Sequence, residues 1–197
     1  MLTSRQRGVT LTEMMIGIAV VGILMVLALP NFTVFLQNAQ IKNAAEGVLQ
    51  GLNIARQEAI RRNTTVRFQF VSDLTSGCAL SSSKLSWIVS LQDPTGKCDI
   101  AASDTIAPQT VQKQSATEGT LNVVAAATGG TTVVFSGLGR VSGAGITQVD
   151  LSNSQAVCEH VSASGTVRCL RVLISSGGQA KLCDPKVTAA SDSRFCS

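Results

Sequence analysis

Val9 to Pro30 reads VTLTEMMIGIAVVGILMVLALP, and within it Met14 to Leu29 is an unbroken run of sixteen apolar residues headed by a single charge, Glu13. As helix, sixteen residues cover about 24 Å, short of a hydrocarbon thickness of roughly 30 Å. Extension back to Val9 and on to Leu36 supplies the missing length, so residues 9–36 are expected to span a membrane. A carboxylate at that depth costs a few kcal/mol, on the order of 3, unless it is paired or neutralised. Glu13 therefore calls for a partner of opposite charge. Arg5 and Arg7 precede the run and no Lys or Arg follows it until Lys42, which orients the N-terminus to the cytoplasm and the bulk of the chain outside.

Beyond the run, Ile41, Ala45, Val48, Leu52, Ala55 and Ala59 recur at intervals of four and three and draw one apolar stripe. Lys42, Asn43, Glu46, Gln50, Asn53, Gln57 and Arg61 occupy the opposite face. Residues 37–62 are thus an amphipathic continuation of the same helix, with one face to cover. Pro30 lacks a backbone N–H and disfavours helical geometry at Leu29, so a kink or locally melted turn is expected there. From Thr64 the composition turns to Val, Thr, Phe, Ser and Gly, and strands are expected over 64–71, 85–91, 121–125, 131–135, 147–151 and 168–174. The fold class is α+β: a long N-terminal helix, transmembrane and then amphipathic, packed on an antiparallel β-sheet head over residues 63–197.

Composition agrees. Charged residues make up 14% of the 197-residue chain, well below the usual quarter. The formal charge of +4 includes Arg5 and Arg7, so loss of residues 1–8 would leave 4 − 2 = +2, too little to argue for nucleic acid on electrostatics alone. Six cysteines point to an oxidising compartment. Fifteen pairings are open in principle; the simplest closes three local loops, Cys78 with Cys98, Cys158 with Cys169 and Cys183 with Cys196. No C-x-x-C pair exists and His160 is the only histidine, so neither a metal nor another cofactor is expected. No Ser/His/Asp constellation can be assembled around that histidine, and the glycine-rich stretch Gly137 to Gly145 is neither a dinucleotide nor a phosphate loop. Catalysis is not expected.

The octapeptide MLTSRQRG ending in Gly8, Glu13 five residues later, and Pro30 after a long apolar helix resemble the type IV pilin-like superfamily. The stretch LNIARQEAIRRNTTVRFQF, with Ala55, Arg56, Glu58, Ala59, Ile60, Arg61, Arg62 and Asn63, is similar to the GspH/FimT/FimU branch of minor pilins and type II secretion pseudopilins. The resemblance implies a leader, residues 1–8, removed after Gly8 by a prepilin peptidase that methylates the new terminus at Val9. It further implies pairing of Glu13 with that terminus in a neighbouring subunit, and partnership with other pilins or pseudopilins of the filament and with an inner-membrane assembly platform. Val9 stands where the family usually has Phe, and Thr10 and Thr12 make the start more polar than usual. The localisation implied is the bacterial inner membrane, single-pass, with the head periplasmic, and then the filament.

Two other readings compete. DNA-capturing minor pilins of the FimT kind carry Gly-Arg-x-Arg near the C-terminal cysteine, where this chain has Gly178-Gln179-Ala180-Lys181-Leu182-Cys183. Lacking both arginines, it would have to contact DNA through Lys181, Lys186, Arg168 and Arg171. A secreted enzyme or binding module would use the run as an ordinary signal peptide cut near Val26-Leu27-Ala28. Glu13, Pro30 and the uninterrupted helical pattern weigh against it.

Overall fold

The 3.6-residue stripe produces one helix. In the computed structural model, which describes residues 9–118, 120 and 122–196, with residues 26–31 through their backbone alone, α1 spans Leu11–Arg62. Gly8 with the rest of the leader, and Leu121 at the start of one expected strand, lie outside the described residues. No melted turn appears at Pro30: the backbone is helical on both sides of it. The one N–H that proline removes leaves the flanking turns their own i to i−4 bonds, which carry the helix through. The chain forms two units, Met1–Leu36 and Gln37–Ser197.

In the second unit every stripe residue from Ile41 to Ala59 is buried, and Lys42, Asn43, Glu46, Gln50, Asn53, Gln57 and Arg61 are exposed. The helix ends where Asn63 takes a left-handed conformation (φ 47°). Its N–H donates to the Ile60 carbonyl and that of Thr64 to the Ala59 carbonyl, 3.2 Å each, a Schellman closure that satisfies two of the last carbonyls.

The head is two four-stranded antiparallel sheets rather than the single sheet expected. The strands are β1 (Val66–Phe70), β2 (Trp87–Ser90), β3 (Thr110–Gln114), β4 (Val123–Thr128), β5 (Thr132–Phe135), β6 (Gln148–Asn153), β7 (Leu170–Ile174) and β8 (Ala180–Cys183). One sheet is ordered β3-β2-β1-β5, the other β4-β6-β7-β8. β3 and β8 lie outside the six stretches expected to be strands. The split occurs at Gly129-Gly130, with φ of 93° and 144°, conformations that only glycine adopts readily. There the chain leaves β4 and enters β5 in the other sheet instead of folding back as a hairpin.

Alternation along the strands sends one face of each sheet to the helix. Val66, Phe68 and Phe70 of β1, Trp87 and Val89 of β2, and Val133 and Phe135 of β5 join the helix stripe in one buried cluster, with Val149, Leu151 and Val172 from the second sheet. Phe68 meets Phe70 edge-on at 5.1 Å between ring centroids and Trp87 at 5.5 Å. Full burial of each such ring is worth roughly 2–3 kcal/mol. Close approach of helix and sheet depends on Gly47 and Gly51, one turn apart: a Cβ on Gly51 would lie 2.7 Å from Phe68 Cε2 and 3.0 Å from the Trp87 ring.

Disulfides join Cys78 to Cys98, Cys158 to Cys169 and Cys183 to Cys196. The first caps a small second core with Val71 and Ile88 on the far face of β1 and β2. Lys113 Nζ holds the same loop by donating to the carbonyls of Cys98, Asp99 and Ile100.

β7 runs alongside the helix. Just before it, the Arg168 N–H donates to Asn38 Oδ1 at 2.7 Å. Just after it, the Val141 N–H donates to Ser176 O, while Gly139 O accepts from Arg56 Nε at 3.0 Å. The loop between β6 and β7 therefore sits at the Asn38 end of this unit, and the β7–β8 turn at the Arg56 end.

Candidate functional site

The N-terminus of α1 is built by Thr10 and Glu13. Thr10 is the cap: its N–H and its hydroxyl each donate to Glu13 Oε2 at 3.0 Å, and the Glu13 N–H donates back to Thr10 Oγ1 at 3.2 Å. This is a reciprocal capping box, Thr-x-x-Glu, in which cap and third helical residue satisfy each other's amides. The pattern is present in the sequence as T-L-T-E, Thr10 to Glu13. Only Oε2 takes part; among the described residues Oε1 accepts no hydrogen bond. Thr10 brings no charge, so the box orients the carboxylate, and among the described residues no cation pairs with it.

Behind this cap, Leu11, Met14, Met15, Ile16, Ile18, Ile23, Leu24 and Met25 are all exposed. A ring of apolar side chains of this extent is not compatible with water in isolation. Among the described residues no helix is long and apolar enough to cross a membrane.

The four cations proposed for DNA are brought together in pairs, not as one surface. Arg171 and Lys181 line a groove of about 490 Å³ on the outer face of the second sheet, with Gln148 and Gln179. There Arg171 Nε donates to Asp150 Oδ1 at 2.7 Å and Lys181 Nζ to the Phe195 carbonyl at 3.0 Å. Arg168 and Lys186 line a separate cleft of about 480 Å³ with Glu159, Asp184 and Arg194. In it Arg168 is bonded to Asp184 and Lys186 to Glu159, while Arg194 pairs with Asp192. Three of the four cations thus already have a carboxylate, which leaves little uncompensated charge for phosphate. His160 is exposed and Trp87 is buried beneath the first sheet.

At the C-terminal end of the helix, Glu58 is bonded by both Arg61 and Arg62, and Arg62 reaches on to Asp104. Hydrogen bonding from Arg61, with a contribution from Arg62, holds the Glu58 carboxyl down at about 2. The ARQEAIRRN end therefore clamps the loop that carries Asp104 against the helix.

Residues 44–178 match the family model for the type II transport protein GspH, a span that runs from the buried helix stripe to the β7–β8 turn. The chain belongs to the GspH family. Residues 3–29 match the prokaryotic N-terminal methylation motif, which brackets Gly8, Val9 and the capping box. No curated protein matches the chain significantly. Among solved structures, the type IV minor pilin FimU of Pseudomonas aeruginosa in space group P21 is similar over 80% of this chain and 98% of its own, at 16% identity and a TM-score of 0.51. The same protein in space group P65 is similar over 76% and 98%, at 17% identity and a TM-score of 0.44. At 16% identity the likeness to the P21 structure speaks for the fold alone, a helix packed on antiparallel sheets. A GspH-family member with this N-terminus is a structural subunit, a minor pilin or pseudopilin. Its family and its methylation motif imply membrane anchoring, a periplasm-facing head and association with other pilins.

Proposed function

We propose that the chain is a minor subunit placed near the tip of a type II secretion pseudopilus or type IV pilus, with assembly as its only chemistry. It is inserted into the inner membrane with Arg5 and Arg7 inside, cut after Gly8 and methylated at Val9 by a prepilin peptidase, then moved by an inner-membrane platform from lipid into a helical bundle. Two features support this reading together: a GspH-type head and, on the same helix, an N-terminal methylation motif. The step from lipid to bundle exchanges one apolar environment for another for Met14 to Met25, so the apolar run gives little preference for a particular height. Glu13 supplies that preference. Its carboxylate gains a charge partner only where a neighbour's freshly cut Val9 ammonium lies level with it, and Thr10 holds it in a fixed orientation meanwhile.

Intact-mass analysis of the chain co-expressed with a prepilin peptidase tests the processing step. Loss of Met1 to Gly8 with gain of one methyl group is expected, and Gly8→Ala should keep the precursor mass. A mature chain beginning at Leu29 would refute the reading in favour of an ordinary signal peptide.

A further inference from the structure

Among the described residues, the buried side-chain atoms that make no hydrogen bond are Arg67 Nε, Gln69 Oε1, Thr110 Oγ1 and Asn153 Nδ2. The first three share one face of one sheet. In the register of β1, β2 and β3, Arg67 stands opposite Ser90 and Ser90 opposite Thr110, while Gln69, on the same face of β1, stands opposite Ile88 and diagonal to Ser90. Phe68, Trp87 and Val89 face the helix, so alternation turns Arg67, Gln69, Ser90 and Thr110 to the far side. Opposite side chains in such a ladder lie about 5 Å apart and diagonal ones about 7–8 Å, which brings all three atoms within side-chain reach of one point above Ser90. Ser90 is wholly buried there, and Gln69 and Thr110 are each 2% exposed.

The chain between β2 and β3 roofs this face. Leu91 N–H donates to Gln109 O at 3.3 Å and Gln92 N–H to Pro108 O at 3.1 Å, which closes the neck of the segment. Lys113, on the same face as Ile88, holds its middle through the carbonyls of Cys98, Asp99 and Ile100. Buried polar atoms without a partner are rare in folded proteins, and where several converge an ordered water commonly satisfies them. We propose that an internal water sits over Ser90, accepting from Arg67 Nε, donating to Gln69 Oε1 and bonded to Thr110 Oγ1. The donor set decides the ligand. A cation would meet the Arg67 guanidinium. An anion would meet the Gln69 carbonyl oxygen and the lone pairs of Ser90 Oγ, whose own hydrogen goes to Gln92 O at 2.7 Å. Water donates and accepts at once, as this mixture of groups requires. The first sheet is then packed by apolar side chains toward the helix and by hydrogen-bonded water beneath the roof.

The test is a crystal structure of the full, oxidised chain in detergent, at a resolution that shows ordered water, with a parallel crystal soaked in sodium bromide. A single-oxygen peak is expected within hydrogen-bond distance of Gln69 Oε1 and of Arg67 Nε or Thr110 Oγ1, with no bromide signal at that point. A bromide peak there overturns the proposal in favour of an anion site. So does direct bonding of the three side chains to one another with no density between them. Relaxation dispersion of oxygen-17 water gives a second reading in solution, on the same chain and on Gln69→Leu combined with Thr110→Val, replacements that keep side-chain size and remove the hydrogen-bonding atoms. The substituted chain should lose the amplitude of one long-lived water; equal amplitudes in the two chains overturn the proposal. The density in the unsubstituted chain decides the matter even where the double variant does not fold.

Discussion

Replacing Gly51 by alanine sets two effects of known sign against each other. Glycine to alanine inside a helix gains about 1 kcal/mol from propensity. Here the added Cβ falls 2.7 Å from Phe68 Cε2 and 3.0 Å from two atoms of the Trp87 ring, and both rings are buried and in contact with each other. Neither can swing aside without disturbing the β1–β2 sheet, and overpacking of that kind costs about 1–3 kcal/mol, so the expected net effect is a loss of up to ~2 kcal/mol. Gly47→Ala is the internal control. The three atoms nearest its Cβ all belong to the carboxamide end of Gln114, the first at 2.8 Å, on the edge strand β3, and that flexible side chain can move. It should leave stability unchanged or raise it by up to ~1 kcal/mol. Urea midpoints of the detergent-solubilised, oxidised chain measure both. A Gly51→Ala variant as stable as Gly47→Ala would refute the claim that helix and sheet are in contact through this glycine pair.

Further outcomes follow from other parts of the molecule. Because Glu58 is held at about 2 against an ordinary 4.5, its contribution is fully present above pH 4.5 and is lost as pH falls toward 2. Discounted for the exposure of Arg61, it amounts to ~1–2 kcal/mol, and Glu58→Gln should flatten the urea midpoint between pH 5 and 2 by about that amount. Replacing Cys158 and Cys169 together by serine opens an 11-residue separation and should cost ~2–3 kcal/mol in the urea midpoint of the chain; no change would mean that the loop does not depend on its bridge. In a mobility shift with duplex DNA at low salt, the full chain should bind equally before and after Lys186→Ala, because that cation is neutralised by Glu159; a marked loss of binding would show it free to contact phosphate.

Much of this was legible because it is local. The stripe from Ile41 to Ala59 and the alternation of Val66, Phe68 and Phe70 are periodic signals that a single element imposes on its own sequence, and the buried faces follow them. β3 escaped because Thr110–Gln114 reads TVQKQ, with only its first residue fully buried; an edge strand with a mostly polar face carries no apolar alternation. β8 is four residues long and borders the turn that begins at Asp184. The partition into two sheets depends on whether β5 joins β4 or β1, a choice made by the backbone at Gly129-Gly130 and by register with Phe68 and Val66, which no local pattern encodes. At the N-terminus the Thr10–Glu13 box is legible from its T-x-x-E spacing alone, and one carboxylate serves both as a cap and as the charge at the head of the apolar run. For the cations, charge was legible and its compensation was not, since Asp150 and Asp184 lie 21 and 16 residues from their partners.

In the proposed assembly the negative charge of Glu13, not its capping bond, sets the height of the subunit among its neighbours. Glu13→Gln separates the two, because glutamine can still close the box with Thr10 while carrying no charge. The decisive measurement is the fraction of processed chain recovered in sheared filaments when wild type and Glu13→Gln are expressed at equal level with the full assembly machinery. Loss of a charge pair worth more than about 1.4 kcal/mol predicts a drop on the order of tenfold or more, with cleavage after Gly8 intact. Equal recovery of the two chains would contradict it.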